Sequence, residues 1–164
     1  MIPSHQSQPA LPKLYGPLPV FLFYRVSEFQ TLCNKLEDTN LTIPKSGRGS
    51  VLHEWIKASL FTYAKEKNLI PLPEYQPYPD KLSKRVDIIF LSEKHTVSAA
   101  FEIDKAVAPR SVEKLESFPE DVFRCVISFG SGRDINFKKY ELQRRSIYWI
   151  DVSKRGLKGF NKLT

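Results

Sequence analysis

The chain has 164 residues, of which 41% are hydrophobic and 26% charged, the length and balance of one ordinary globular domain. Lys and Arg number 25 against 18 Asp and Glu, giving a net charge of +7 and a pI near 9.4, which suits a polyanionic partner. No apolar run reaches the roughly 20 residues that span a bilayer. Leu18 to Tyr24 is short and contains Pro19. The opening Met1-Ile2-Pro3-Ser4-His5-Gln6 has neither a basic segment nor a continuous apolar one, so no secretory signal is expected. Cys33 and Cys125 make no disulfide framework, and with His5, His53 and His95 they show no zinc-ligand spacing. The expectation is a reduced, cytoplasmic protein with no membrane partner.

Pro3, Pro9, Pro12, Pro17 and Pro19 fix φ and remove amide donors. They predict a proline-rich arm over residues 1–25 and a single α/β domain over 26–164. Phe29, Leu32, Cys33 and Leu36 recur at helical spacing and predict a helix from a Ser27 cap to Asp38. Pro44 to Gly49 reads as a loop. Ser50 to Lys67 is the strongest helix, with Ser50 as cap and Leu52, Trp55, Ile56, Ser59, Leu60 and Tyr63 as its buried stripe. Leu69 to Pro79 holds four prolines and reads as a connector with room for one edge strand. Strands are predicted at Val86–Leu91, Thr96–Ile103, Phe123–Phe129 and Ser146–Val152, with a turn at Ser92–His95. Helices are predicted at Ser111–Phe118 and 134–144. A hairpin followed by alternating helix and strand implies a mixed sheet with helices on its faces.

The hairpin carries the chemistry. With Leu91 opposite Thr96, Asp87 falls opposite Ala100. Side chains alternate along a strand, so Asp87, Ala100, Glu102 and Asp104 share one face while Phe101 and Ile103 take the other. Three carboxylates brought together repel one another, and magnesium or manganese relieves the repulsion. The plainer reading makes them a solvated sheet face, or partners of Arg85 and Lys105. Acids at the ends of otherwise apolar strands favour the first reading, because burying them unpaired is costly.

A helix bearing Glu54 precedes the strand Arg85-Val86-Asp87-Ile88-Ile89-Phe90 and the strand Ala100-Phe101-Glu102-Ile103-Asp104-Lys105, with a helix and a strand to follow. Over roughly residues 50–152 this order resembles the PD-(D/E)XK nuclease superfamily. The resemblance implies a restriction-endonuclease-like α/β fold, a mixed central sheet flanked by helices. It also implies a metal-dependent endonuclease that hydrolyses phosphodiester bonds in DNA; the choice between DNA and RNA is left open by the sequence. Asp87 and Glu102, joined here by Asp104, would hold the magnesium or manganese ion (Mg2+ or Mn2+), and Glu54 would assist. A literal Pro79-Asp80 precedes the strand, but the hairpin geometry favours Asp87. Many nucleases of this fold pair to cut two strands, so a homodimer is an expectation of the resemblance.

The family's lysine, two residues after the glutamate, is Asp104 here. Alternation sends Lys105 to the opposite face unless a bulge turns it back. Lys114, with Arg110 before it, and Lys57 are substitute cations, or else solvated helix faces. The departure leaves a second outcome, a catalytically inactive nuclease-fold module that binds nucleic acid or a protein partner. Further candidate nucleic-acid contacts are Arg48 between Gly47 and Gly49, Arg110, Arg133 after Gly130-Ser131-Gly132, and the tail residues Lys154, Arg155 and Lys158. Each also reads as a hinge, a turn or a solubilising surface. His53 points away from its neighbour Glu54 on a helix and is left out of the cluster.

Overall fold

Leu18, Leu22, Val26, Phe29 and Cys33 line the buried side of α1 (Leu18–Asp38) in the computed structural model, which describes residues 17–40, 45–77, 85–130 and 141–153. Pro17 is the N-cap of this helix and Pro19 stands in its first turn, where a missing amide breaks no hydrogen bond. The two prolines therefore start the helix instead of excluding it. Residues 18–25, expected in the arm, belong to α1, and Leu18 and Leu22 among them are fully buried in the core. Ser27 lies in mid-helix and caps nothing. Residues 1–16 lie outside the described residues.

The second helix, α2 (Lys45–Glu66), also starts earlier than expected. The supposed loop from Lys45 to Gly49 is its first turn, and Ser50 is not its cap. It stops where Asn68 adopts φ 56° and the Leu69 amide returns to the Ala64 carbonyl at 2.8 Å, a left-handed ending that asparagine tolerates. Trp55 fastens α2 to α1: its Nε1 donates to the Arg25 carbonyl at 2.7 Å, and the Arg25 guanidinium covers its ring at 4.9 Å.

Five strands follow in a single mixed sheet, ordered as they occur: β1 (Ile70–Tyr75), β2 (Val86–Leu91), β3 (Val97–Asp104), β4 (Phe123–Ser128) and β5 (Tyr148–Asp151). The first three are antiparallel, and β3, β4 and β5 are parallel. β1 is the edge strand allowed for in the proline-rich connector, and Pro71 and Pro73 sit on it. α3 (Pro109–Glu116) makes the crossover from β3 to β4. Residues 141–144 are helical, while the remainder of the helix expected at 134–144 lies outside the described residues. The architecture is thus α/β, a five-stranded mixed sheet flanked by helices. Among the described residues, no helix is long and apolar enough to cross a membrane.

Strand alternation builds two apolar layers. Ile88, Phe90, Ala99, Phe101 and Ile103 pack with Leu22, Ile56, Leu60 and Tyr63 of α1 and α2. Ile89, Ala100 and Val126 pack on the other face with Val112 and Leu115 of α3. Arg124 is buried beside this second layer and donates to the carbonyls of Phe118 (3.3 Å) and Arg145 (2.9 Å). It closes chain ends that a sheet interior would otherwise leave unsatisfied.

The hairpin register differs from expectation by two residues. Leu91 pairs with Val97 instead of Thr96, which slips the pairing by one. A bulge between Phe90 and Leu91 slips it by one more, so Ile89, not Asp87, faces Ala100. Either slip alone would turn every side chain to the wrong face. Together they restore the faces, and Phe101 and Ile103 point to the helical core as the alternation requires.

The core position of the first turns of α1 has a direct consequence for stability. Leu22→Ala is expected to destabilise the fold by about 2–5 kcal/mol through transfer and cavity terms. Val20→Ala, at a residue 63% exposed, is expected to stay within about 0.5 kcal/mol of wild type. Denaturant midpoints of the two variants check this; equal midpoints would return residues 18–25 to an unpacked arm.

A cleft of two carboxylates and two lysines as candidate active site

The pairing of β2 with β3 runs antiparallel, so the start of β2 and the end of β3 lie at the same end of the sheet. There the ladder gives way to side chains. The Ile103 amide donates to Asp87 Oδ2 at 2.7 Å, and the Asp87 amide donates to Glu102 Oε1 at 3.3 Å. Each carboxylate thus accepts a backbone donor from the other's strand. Glu102 is 2% exposed, and its Oε2 accepts from Lys114 Nζ of α3 at 2.8 Å. Beside this pair, Asp104 Oδ2 accepts from the hydroxyl of Ser111, one turn before Lys114. Two polar rungs therefore hold α3 against the end of β3.

These groups line an open cleft of about 410 Å3 between α2, the ends of the strands and α3. Gly49, Ser50, His53 and Glu54 form its α2 wall, and Lys105 and Phe129 stand at its rim. Lys105 is in the cleft because the chain bends directly after Asp104, where strand alternation stops applying. Gly130 makes the bend fit. The Gly130 amide donates to the Lys105 carbonyl at 2.8 Å, and a Cβ at Gly130 would strike that same carbonyl. The Lys105 side chain then passes over Gly49, where a Cβ would come within 2.9 Å of its Cε.

The sequence expectations divide at this site. Asp87, Glu102, Asp104, Lys105 and Lys114 all line the cleft. The three-carboxylate cage does not form: among the described residues no group of three His, Cys, Asp or Glu side chains converges on one ion site. Asp104 is engaged by Ser111, which leaves Asp87 and Glu102 as the pair. Glu54 is 67% exposed on the outer edge of the cleft, facing His53 and, at 3.8 Å, Lys57. Lys57 is drawn away toward β1 by Glu74 at 2.6 Å. Arg48 pairs with Glu37, and Arg110 is exposed at the start of α3. The Gly130 amide, at the start of the glycine segment that precedes Arg133, donates to the Lys105 carbonyl. Asp80, Arg133, Lys154, Arg155 and Lys158 lie outside the described residues.

His53 belongs to the cluster after all. Its Nε2 lies 3.6 Å from Asp87 Oδ2 and its Nδ1 lies 3.0 Å from Glu54 Oε1. Neighbouring helix residues differ by about a quarter-turn, which does separate two side chains. The cleft is wide enough to receive both. The positions Gly49, Ser50, His53 and Glu54 are one broad helix face, and that spacing was the available signal. Ser111 had none, because its role depends on how α3 docks.

Electrostatics set the two carboxylates apart. Burial, and then the neighbouring Asp87 carboxylate, push Glu102 up to about 7 despite the Lys114 ammonium. Burial would raise Asp87 as well, but His53 and the Ile103 amide outweigh it and hold Asp87 below the usual carboxylate range. Asp87 in turn raises His53, against the effect of burial.

The chain is therefore an α/β protein with a partly buried, cation-bordered carboxylate pair at the end of its hairpin. No protein-family model, curated protein or solved structure matches it.

The raised Glu102 predicts a sign. A carboxyl that titrates near 7 folded and near 4.5 unfolded stabilises the fold below 4.5, and the contribution is lost as pH rises through 7. Asp87, shifted down, contributes above its unfolded value near 3.8 and loses this as pH falls. Thermal melts in metal-free buffer should show stability falling between pH 4.5 and 7, by at most about 3 kcal/mol, and Glu102→Gln should flatten that fall. Lys114→Met should destabilise more at pH 8 than at pH 5, because protonated Glu102 no longer needs the ammonium. A pH-independent cost would reject the pairing as the cause.

Proposed function

We propose that this protein is a metal-dependent nuclease that hydrolyses phosphodiester bonds in DNA. The observation that carries the reading is the Asp87–Glu102 pair at adjoining strand ends with the Lys114 ammonium 2.8 Å from Glu102. The donor set suits magnesium or manganese: both side chains are hard oxygen donors, and their repulsion leaves the site short of positive charge. Magnesium commonly takes one or two protein carboxylates and keeps several waters, so a two-carboxylate site is sufficient. When bound, such an ion lowers the pKa of an attacking water and neutralises charge on the phosphate.

The chain's own residues supply the rest. Asp87 stays ionised and fixed by the Ile103 amide, so a cation finds it already oriented. His53 steadies Asp87 from α2. Lys114 stands in for the lysine that Asp104 displaces, and it reaches Glu102 from α3 instead of from β3. Its side chain is 16% exposed and lines the cleft, open enough to meet a phosphate oxygen as charge develops there. The basic balance of the chain, +7, favours the approach of a polyanion.

Incubation with supercoiled and linear DNA in magnesium or manganese tests this. Asp87→Asn and Glu102→Gln are each expected to lower the cleavage rate by about 100-fold or more, and Lys114→Gln by about 100-fold with partial rescue by Lys114→Arg. Manganese titration calorimetry should show binding by wild type and none by the Asp87→Asn variant. Cleavage that persists in Glu102→Gln removes the assignment. Asp104 at the lysine position favours one other reading, a nuclease-fold module without chemistry. Salt-sensitive DNA binding with neither manganese binding nor cleavage would select it.

A further inference from the structure

Among the described residues, Asn40, Asn68, Glu74, His95 and Ser146 have a left-handed backbone. Four of them stand at helix ends or in a turn, whereas Glu74, with φ 52°, lies inside β1. That conformation costs energy for any side chain but glycine, so something must hold it. The register of β1 on β2 shows what it avoids. Pro73 pairs with Ile88 and Tyr75 with Val86, which sets Glu74 opposite Asp87. In a regular strand the two carboxylates would stand side by side on one face, a repulsive pairing. Instead the alternation breaks. Leu72 and Tyr75, three residues apart, both pack on the second apolar layer, and Glu74 turns to Lys57 of α2.

Lys57 Nζ lies 2.6 Å from Glu74 Oε1, and its side chain is only 13% exposed. Arg85 Nη1 stands 3.9 Å from the other Glu74 oxygen. His53 and Lys57, four residues apart, share one face of α2 and make neighbouring rungs, His53 to Asp87 on β2 and Lys57 to Glu74 on β1. Burial works to lower Lys57, but Glu74, then Glu54 and Asp87, raise it, so its ammonium already feels the Asp87 charge. Seated on Asp87, that ammonium would neutralise the carboxylate and take the place of a divalent ion. We infer that Glu74 is a positioning residue for the cation site: by holding Lys57 on β1 it keeps the ammonium off Asp87 and leaves that carboxylate open to a divalent ion. The inference rests on the proposed reading in taking Asp87 as a cation ligand.

Calorimetric titration of the full chain with manganese chloride tests it without cleavage. Glu74→Gln is expected to weaken manganese binding about tenfold in the wild-type background and by less than about twofold in a Lys57→Gln background. Lys57→Gln alone should stay within about twofold of wild type, since Lys57 is already held off Asp87. Glu74→Gly removes the same carboxylate, and glycine accepts the left-handed backbone without strain. It should melt no lower than Glu74→Gln and lose the same affinity, which separates the effect from a folding defect.

Equal costs of Glu74→Gln in the two backgrounds would make Glu74 a distant charge and overturn the inference. Wild-type affinity in Glu74→Gly overturns it as well, as does a wild-type chain that binds no manganese. Cleavage is scored separately. A loss of manganese binding that depends on Lys57, in a chain that cuts no DNA, defeats the nuclease reading and leaves this one standing. Cleavage that needs Asp87, with equal Glu74 costs in the two backgrounds, does the reverse.

Discussion

The arrangement of this site depends on a reciprocal contact between two strands. Where the β2–β3 ladder runs out after Ile88 and Phe101, the Ile103 amide turns to the Asp87 carboxylate and the Asp87 amide turns to the Glu102 carboxylate. Buried backbone donors must find acceptors, and here side-chain oxygens replace the missing carbonyls. The same bonds that finish the hairpin bring two negative charges together in a partly buried place. That juxtaposition is electrostatically costly, and the surrounding structure answers it with Lys114 on one side and His53 on the other.

The answer is asymmetric. His53 and a backbone amide favour the ionised form of Asp87, while Glu102 is left the more buried of the two and titrates near neutrality. One carboxylate is held toward its ionised form and the other is held toward its protonated form. α3 is the element that links this charge state to the fold. Its two rungs, Ser111 to Asp104 and Lys114 to Glu102, run down the end of β3. The apolar side of α3, Val112 and Leu115, simultaneously covers the second core layer. The helix that supplies the cation is thus held by packing that has nothing to do with charge, which is how a lysine can be kept beside acids without closing the cleft.

Much of this was legible from local pattern. Alternation along Val86–Leu91 and Val97–Asp104 placed Asp87 and Glu102 on a common face, and α3, β4 and β5 after them followed from periodicity. The register was misjudged by an even number of residues, so the face survived the error. The helix starts were misjudged for a different reason. Pro19 and Gly49 are poor helix residues in the interior of a segment, yet both lie near an N-terminus, where proline loses no bond and a missing Cβ leaves room for Lys105. Local composition records the penalty of such residues but not the neighbour that makes them acceptable.

The sequence by itself determined the alternation, the acids and the basic balance, because these depend on side-chain chemistry and on the two-residue repeat of an extended strand. It thereby determined that Asp87 and Glu102 would meet. Only the tertiary structure decided which cations would answer them. Lys114 reaches Glu102 because α3 docks on β3, Lys105 enters the cleft because the chain bends against Gly130, and Asp104 leaves the cluster because Ser111 takes it. Those choices join residues on separate elements, and their distances are set by how the layers pack, which no local repeat encodes.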